Sequence, residues 1–204
     1  MIEIYLLRHG ETEYNAKRIF GGRSNHLHLN EAGIKQATER GEYFKSTDFM
    51  VDEIFCSTAI RAKESLENVM KITNITEGKI SYHDELNEIA QGDWVGKSID
   101  DTLTPEILKE IAKKAPNFKA PNGETLGEGS NRIYKFINEN ILTKYKDGKF
   151  LIVAHGLLFR SFITKVTEMN PSMVFKLQCG NLSLSKICYH EEYGWFMHFF
   201  NRTV

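Results

Sequence analysis

Leu6-Leu7-Arg8-His9-Gly10-Glu11-Thr12-Glu13-Tyr14-Asn15 joins a short apolar run to a cluster of polar residues. Ile2, Ile4, Leu6 and Leu7 have the spacing of a buried strand, and the strand runs straight into Arg8-His9-Gly10. In an open α/β sheet the carboxyl ends of the strands are where ligands bind. A guanidinium at that position forks onto phosphate oxygens. A neutral imidazole offers a ring nitrogen that can attack phosphorus, and a glycine lets the backbone approach closely. As an isolated tripeptide, Arg-His-Gly occurs by chance. Here other stretches of the chain support it.

The 204 residues are enough for one well-buried domain. With 41% hydrophobic and 26% charged residues and a net charge of −1, the chain lacks the overall basic footprint of a nucleic-acid binder. Anion binding must therefore come from a local cluster of Arg and His. No apolar run approaches membrane-spanning length, and Met1-Ile2-Glu3 is not the start of a secretory signal, so no membrane partner is expected. Cys56, Cys179 and Cys188 are odd in number and lack a paired metal spacing, which points to a reducing, cytoplasmic location.

Along the chain, strands alternate with helices. A Gly-rich polar loop containing Gly21-Gly22-Arg23 leads to Asn30, the expected N-cap of a helix reaching about Phe44. An apolar strand over 51–55 ends at Cys56-Ser57-Thr58, and a helix over 59–72 carries Arg61 in its first turn. A weak strand over 79–82 leads into a loop with Glu85, Glu88, Gly92, Trp94 and Gly96. The stretch 97–125 reads as an insert with a short helix around 105–114; its lysines 109, 113, 114 and 119 read as a solvated face, with an anionic substrate as the alternative they could face. A long helix is expected over 126–145, then the strongest strand, 150–154, which ends at His155-Gly156 and is followed by a helix over 157–166. Alternation over 182–189 and 195–200 around Gly194 predicts a hairpin at the sheet edge. The fold class is therefore α/β: three layers, α/β/α, with a mostly parallel sheet, an antiparallel edge strand and an insert capping the site. The edge hairpin also offers a surface for pairing two copies into a homodimer.

Two strands thus end in His-Gly, a third precedes Arg61, and the loop after a fourth carries Glu88. Parallel strands present their carboxyl ends on one side, so Arg8, His9, Arg61, Glu88 and His155 are expected to converge. On these motifs the chain resembles the histidine phosphatase superfamily, in the branch containing cofactor-dependent phosphoglycerate mutases and related phosphatases. Leu7 to Thr12 with Asn15 is similar to the nucleophile motif, and Leu29-Asn30 with Gly33, Gln36 and Ala37 to the helix start after it. Cys56-Ser57 with Arg61-Ala62 resembles the second phosphate-binding segment, and Leu86, Glu88, Gly92, Trp94 and Gly96 the general-acid segment. Pro121, Gly123, Glu124 and Thr125 resemble the substrate loop, Ala154-His155-Gly156 with Arg160 the second histidine motif, and Asn181 with Ser183 the strand beside it. The motifs occur in register along nearly the whole chain. The departures are Asn25, His26 and His28 in the loop before Asn30, and an insert shorter than in full-length mutases, which favours a phosphatase.

The resemblance implies a phosphomonoesterase acting on a small phosphorylated metabolite by two in-line transfers. His9 is expected to become a phosphohistidine while Glu88 serves as general acid, then base. Arg8, Asn15, Gly21, Gly22, Arg61, His155 and Gly156 are expected to bind phosphate or substrate. Neither metal nor cofactor is implied, since arginines and a histidine supply the positive charge. Glu85 and Glu11 compete with Glu88 for the acid role, and the spacing to Gly92 and Trp94 favours Glu88. His26 and His28 alternate as a metal pair on a strand would, but lack an evident third ligand and read as a polar loop. Cys56 reads as buried and structural, and Trp94 and Trp195 as core residues. A mutase would use the same residues. A non-catalytic phosphate-binding module is the third reading.

Overall fold

The computed structural model describes residues 1–73 and 80–204. Among them, six strands form one sheet: β1 (Ile2–Arg8), β2 (Glu53–Ser57), β3 (Ile80–His83), β4 (Gly148–Ala154), β5 (Leu184–His190) and β6 (Gly194–Arg202). Their spatial order is β3-β2-β4-β1-β5-β6. The pairs β2–β3, β2–β4 and β1–β4 are parallel; β1–β5 and β5–β6 are antiparallel. The expected hairpin is present, but it adds two antiparallel strands to this side of the sheet rather than one. Lys79, the expected start of the third strand, lies outside the described residues.

Among the described residues, seven α-helical segments connect the strands: α1 (Glu13–Ala16), α2 (Glu31–Ser46), α3 (Ile60–Met70), α4 (Ile99–Thr102), α5 (Pro105–Lys114), α6 (Leu126–Ile137) and α7 (Gly156–Val166). Three of the longer helices have a local reason to start where they do. Asn30 Oδ1 accepts the Gly33 N–H at 2.8 Å, and Thr125 with Glu128 forms a capping box at α6. Pro105 occupies the first turn of α5, where its missing N–H costs nothing.

The expected long helix over 126–145 stops at Ile137 and continues as a wider π-type turn over Asn138–Leu142. There Asn140 Nδ2 donates to the Phe136 carbonyl at 3.0 Å and Thr143 Oγ1 to that of Glu139 at 3.0 Å. Side chains that bond carbonyls of the preceding turn compete with the backbone ladder.

The core lies on both faces of the sheet, as strand periodicity requires. Leu6, Phe150, Ile152 and Phe55 pack with Ile133, Phe136, Leu158 and Phe162 of α6 and α7. Leu7, Leu151, Val153 and Ile54 point the other way, onto Ala37, Phe44, Ala62 and Leu66 of α2 and α3. Residues 150–154 are all fully buried, which is why β4 reads as a continuous apolar run rather than an alternation. Among the described residues no helix is long and apolar enough to cross a membrane.

This wiring places a crevice. The chain leaves β1 toward α2 on one face and leaves the adjacent β4 toward α7 on the other, so a gap opens between their carboxyl ends. The backbone packs closely here. A Cβ on Gly33 would stand 2.2 Å from the Glu11 carbonyl oxygen, and one on Gly10 would stand 2.8 Å from that of Gly33. Only glycine lets the loop after β1 rest on the first turn of α2.

Candidate active site

Arg8 ends β1 beside Ala154 of β4, and the His9 N–H donates to the Ala154 carbonyl at 3.0 Å. His9 and His155 are therefore neighbours across the crevice, with ring centroids 5.2 Å apart. Both are buried, His9 4% exposed and His155 0%. Arg61, from the first turn of α3, reaches between them: its Nε lies 3.3 Å from His9 Nε2, and one Nη lies 3.2 Å from His155 Nδ1. Two further guanidinium hydrogens go to the Ser24 and Gly22 carbonyls at 2.7 and 2.8 Å. Gly22 reaches this position with a φ of +48°, which suits a residue without Cβ.

The hydrogen bonds assign each imidazole a tautomer. His9 Nδ1 lies 2.7 Å from the Gly10 carbonyl oxygen, which only accepts, so Nδ1 carries the proton and Nε2 keeps its lone pair. His155 Nδ1 faces the donating Arg61, so its proton lies on Nε2 and is donated to Ser57 Oγ at 2.9 Å. Ser57 passes its own hydrogen to Asn87 Oδ1 at 2.6 Å. Burial, reinforced by the Arg61 and Arg8 charges, holds the pKa of His9 well below the usual histidine range. His155 is lowered likewise, by burial first and then by Arg61, His9 and Arg8. The expectation that a histidine adds positive charge is thus corrected for the chain by itself: the arginines supply the charge and both imidazoles are neutral. Burial also lowers Arg61, to about 10, which leaves it cationic at neutral pH.

These shifts predict how stability varies with pH. A histidine kept neutral by the fold takes up its proton more readily in the unfolded chain. Its stabilisation is complete above the unfolded value near 6.5 and is lost as pH falls toward the depressed folded value. Each such group contributes a slope of up to roughly 1.4 kcal/mol per pH unit. Urea midpoints should fall between pH 6.5 and 5.5, and less steeply in His155→Gln. Midpoints that do not change over that window would contradict the neutral assignment.

Arg8 donates Nη1 to the Cys179 carbonyl, while its buried Nε has no hydrogen-bond partner among the described residues. Gly156 starts α7 against this group: a Cβ there would be 3.1 Å from Arg8 Nε. Asn15 belongs to a capping box with Thr12, and its Oδ1 also accepts from Asn181 Nδ2 at 3.2 Å. Arg8, His9, Asn15, Gly21, Gly22, Arg61, Glu88 and Gly156 all line one cavity of about 610 Å³. His155 sits behind that lining, in contact with Arg61.

Of the three candidate acids, the cavity brings in Glu88 alone. Glu85 is exposed outside it, and Glu11 Oε1 accepts from the Asn30 side chain at 2.9 Å. The Glu88 carboxylate rests on the start of α7. Oε1 accepts from Ile89 N and Leu158 N, both at 2.9 Å, and Oε2 from Leu157 N at 3.1 Å. Oε1 has both lone pairs engaged, whereas Oε2 keeps one free.

Several lining residues were not expected as site residues from the sequence. Trp94, read as core, is half-buried on the cavity wall, together with Leu103, Leu108 and Phe118 of the insert. Lys119 also lines it, while Lys114 pairs with Glu110. Glu124, quoted only as part of a motif, is a second carboxylate of the lining and is held by Arg23 and Arg132. Arg132 left no sequence signal, because most of its partners are backbone carbonyls more than 40 residues away. His26 stacks edgewise on Tyr14, and His28 Nδ1 lies 2.6 Å from Glu64, so the two imidazoles have separate partners. Cys56 is fully buried, and burial pushes its thiol pKa upward.

A sequence model for the histidine phosphatase superfamily (branch 1) matches residues 4–203. The uncharacterised phosphatase PhoE of Bacillus subtilis (strain 168) is 32% identical over 192 residues, covering 94% of this chain and 91% of that one. A 2,3-bisphosphoglycerate-dependent phosphoglycerate mutase of Parvibaculum lavamentivorans is 28% identical over 177 residues, 85% of this chain and 84% of its own. Among solved structures, a mycobacterial glucosyl-3-phosphoglycerate phosphatase superposes with a TM-score of 0.85 at 21% identity, over 100% of both chains. The phosphoserine phosphatase of Entamoeba histolytica in complex with 3-phosphoglyceric acid gives 0.84 at 22% identity, over 100% of this chain and 98% of that one. At those identities the two structures speak for the fold.

Proposed function

Because this chain belongs to the histidine phosphatase superfamily (branch 1), we propose that it hydrolyses a small phosphomonoester through a phosphohistidine on His9. The observation that carries this reading is the pairing of a neutral, Nδ1-protonated His9 with Arg61, whose Nε lies 3.3 Å from the unprotonated Nε2. A phosphoryl group approaching Nε2 meets two guanidinium groups at once, and the unpartnered Nε of Arg8 awaits an oxygen acceptor.

In the first transfer the His9 Nε2–P bond forms as the P–O bond to the leaving group breaks. Glu88 Oε2 gives its proton to the departing alkoxide. In the second transfer water attacks phosphorus, its proton passes to Glu88 and the P–N bond breaks, regenerating His9. Arg8, Arg61, Asn15 and the Gly156 N–H hold the equatorial oxygens, where transition-state charge resides, and His155, behind them, orients Arg61. Gly21 and Gly22 border the substrate. The insert over 97–125 acts as a cap: Ile99, Leu103, Leu108 and Phe118 turn apolar side chains toward the same cavity and shape what fits beside the phosphate. Turnover of a metabolite panel, read as released phosphate, tests the assignment and ranks substrates.

Mutase chemistry is the second reading, favoured by the phosphoglycerate mutases among the relatives. It predicts phosphoryl transfer back to substrate that depends on a bisphosphate primer. Primer-independent release of phosphate from phosphoglycerate supports the phosphatase instead.

The reaction is proposed to need no metal, because Arg8 and Arg61 carry the charge that a cation would supply. Exhaustive chelation should leave the rate unchanged. A loss restored by added Mg²⁺ or Zn²⁺ would refute this.

A further inference from the structure

Glu88 sits in a loop between two single 3₁₀ turns, Asp84–Leu86 and Gly92–Trp94, so no strand ladder positions its backbone. What holds it is a pair of arginines. Arg132, projecting from α6, uses all five of its N–H groups. Nη1 donates to the carbonyls of Glu85 and Asn87, and Nη2 to that of Glu88 at 3.4 Å. Nε and Nη2 grip the two oxygens of Glu124 in a fork, each at 2.9 Å. Arg23 comes from a different part of the chain, the loop that precedes α2. Its Nε donates to the same Glu88 carbonyl at 2.8 Å and its Nη2 to the same Glu124 carboxylate at 2.8 Å. Glu124 closes the frame: its N–H donates to the Ala90 carbonyl at 2.8 Å, and its Oε2 accepts the Ala90 N–H at 3.2 Å.

We infer that Arg132, Glu124 and Arg23 form a clamp that positions Glu88 for proton transfer, with Arg132 as its principal member. The inference rests on the reading of Glu88 as general acid. A proton donor works only within hydrogen-bond reach of the departing oxygen, and a shift of about 1 Å can cost on the order of 10²-fold in rate. The clamp acts on the Glu88 main chain and leaves its carboxylate free of arginine. A guanidinium bonded to the carboxylate would compete for the proton being transferred, whereas one bonded to the carbonyl fixes where the side chain starts. Glu124, the other carboxylate of the cavity, is thereby a structural partner and not a second acid. Arg23 also gives the loop with the unusual Asn25, His26 and His28 a role: it brings that loop onto the acid.

The clamp has a signature that general loss of stability lacks. An acid matters for a poor leaving group and little for a good one, so displacing Glu88 should reproduce the leaving-group dependence of removing it. Arg132→Gln should slow first-turnover cleavage of an alkyl phosphate on the order of 10²-fold, while an activated aryl phosphate changes far less. Arg23→Gln leaves α6 untouched and should show the same imbalance, more weakly. In a Glu88→Gln background, neither substitution should slow alkyl phosphate cleavage further, since residues acting as a unit are not additive. Equal slowing of both substrates by Arg132→Gln and Arg23→Gln, or full additivity with Glu88→Gln, would overturn the clamp. If Glu88→Gln itself fails to separate the two leaving groups, the acid assignment falls first and takes the clamp with it. If Glu88→Gln separates them and the arginine variants do not, the clamp alone falls.

Discussion

Brief incubation with a ³²P-labelled phosphomonoester is expected to leave an acid-labile, base-stable label on the protein, and His9→Ala to abolish it. The expectation follows from comparing the two buried imidazoles. Both nitrogens of His155 are committed, one donating to Ser57 and the other accepting from Arg61. His9 lines the cavity while His155 lies behind it; with Nδ1 donating to the Gly10 carbonyl, His9 presents Nε2, whose lone pair among the described residues meets only the 3.3 Å bond from Arg61, as the nucleophile. Low basicity at neutral pH, caused by burial and the neighbouring arginines, keeps Nε2 unprotonated and reactive. Loss of a nucleophile in a preorganised site commonly costs on the order of 10⁶-fold in turnover. His155→Ala should instead slow labelling while still permitting it, because His155 orients Arg61 and forms no bond to phosphorus. Label retained in His9→Ala, or absent from wild type while phosphate is released, would rule out the phosphohistidine route.

Glu88→Gln is expected to cripple hydrolysis of an alkyl phosphate far more than that of an activated aryl phosphate. An alkoxide needs a proton as it departs and an activated aryloxide does not, so the difference isolates acid catalysis, commonly worth on the order of 10²–10⁴-fold. The substitution has a side effect in this site. The new NH₂ group faces either the Leu157 N–H or the two N–H groups of Ile89 and Leu158, where a donor meets a donor. That cost is the same whichever substrate is bound, so the ratio between leaving groups is unaffected by it. Glu88 also activates water in the second transfer, and first-turnover rates separate the steps by reporting attack at His9 alone. Equal slowing of both leaving groups in the first turnover would remove Glu88 from the role. Glu85 and Glu11 would not inherit it without rearrangement, since neither side chain reaches the cavity.

What the sequence by itself determined is local in origin. Strand periodicity, Asn30 as a cap and Pro105 at a first turn act over a few residues. They placed β1, α2 and β4 to within a residue or two, and α5 without error. His9 and His155 were legible because each follows an apolar strand directly, and a parallel sheet brings strand ends together whatever their order. Tertiary structure decided the rest. Only the strand order makes β1 and β4 neighbours with chains leaving to opposite faces, and only that opens the crevice between the two histidines. The tautomers depend on which groups surround each ring, and the end of α6 on side chains turning back onto their own helix. Arg132 and Arg23 were hidden for a related reason. Their partners at Glu85, Asn87 and Glu88 are carbonyl oxygens, and a backbone carbonyl is the same on every residue, so no side-chain pattern can announce where an arginine will find one.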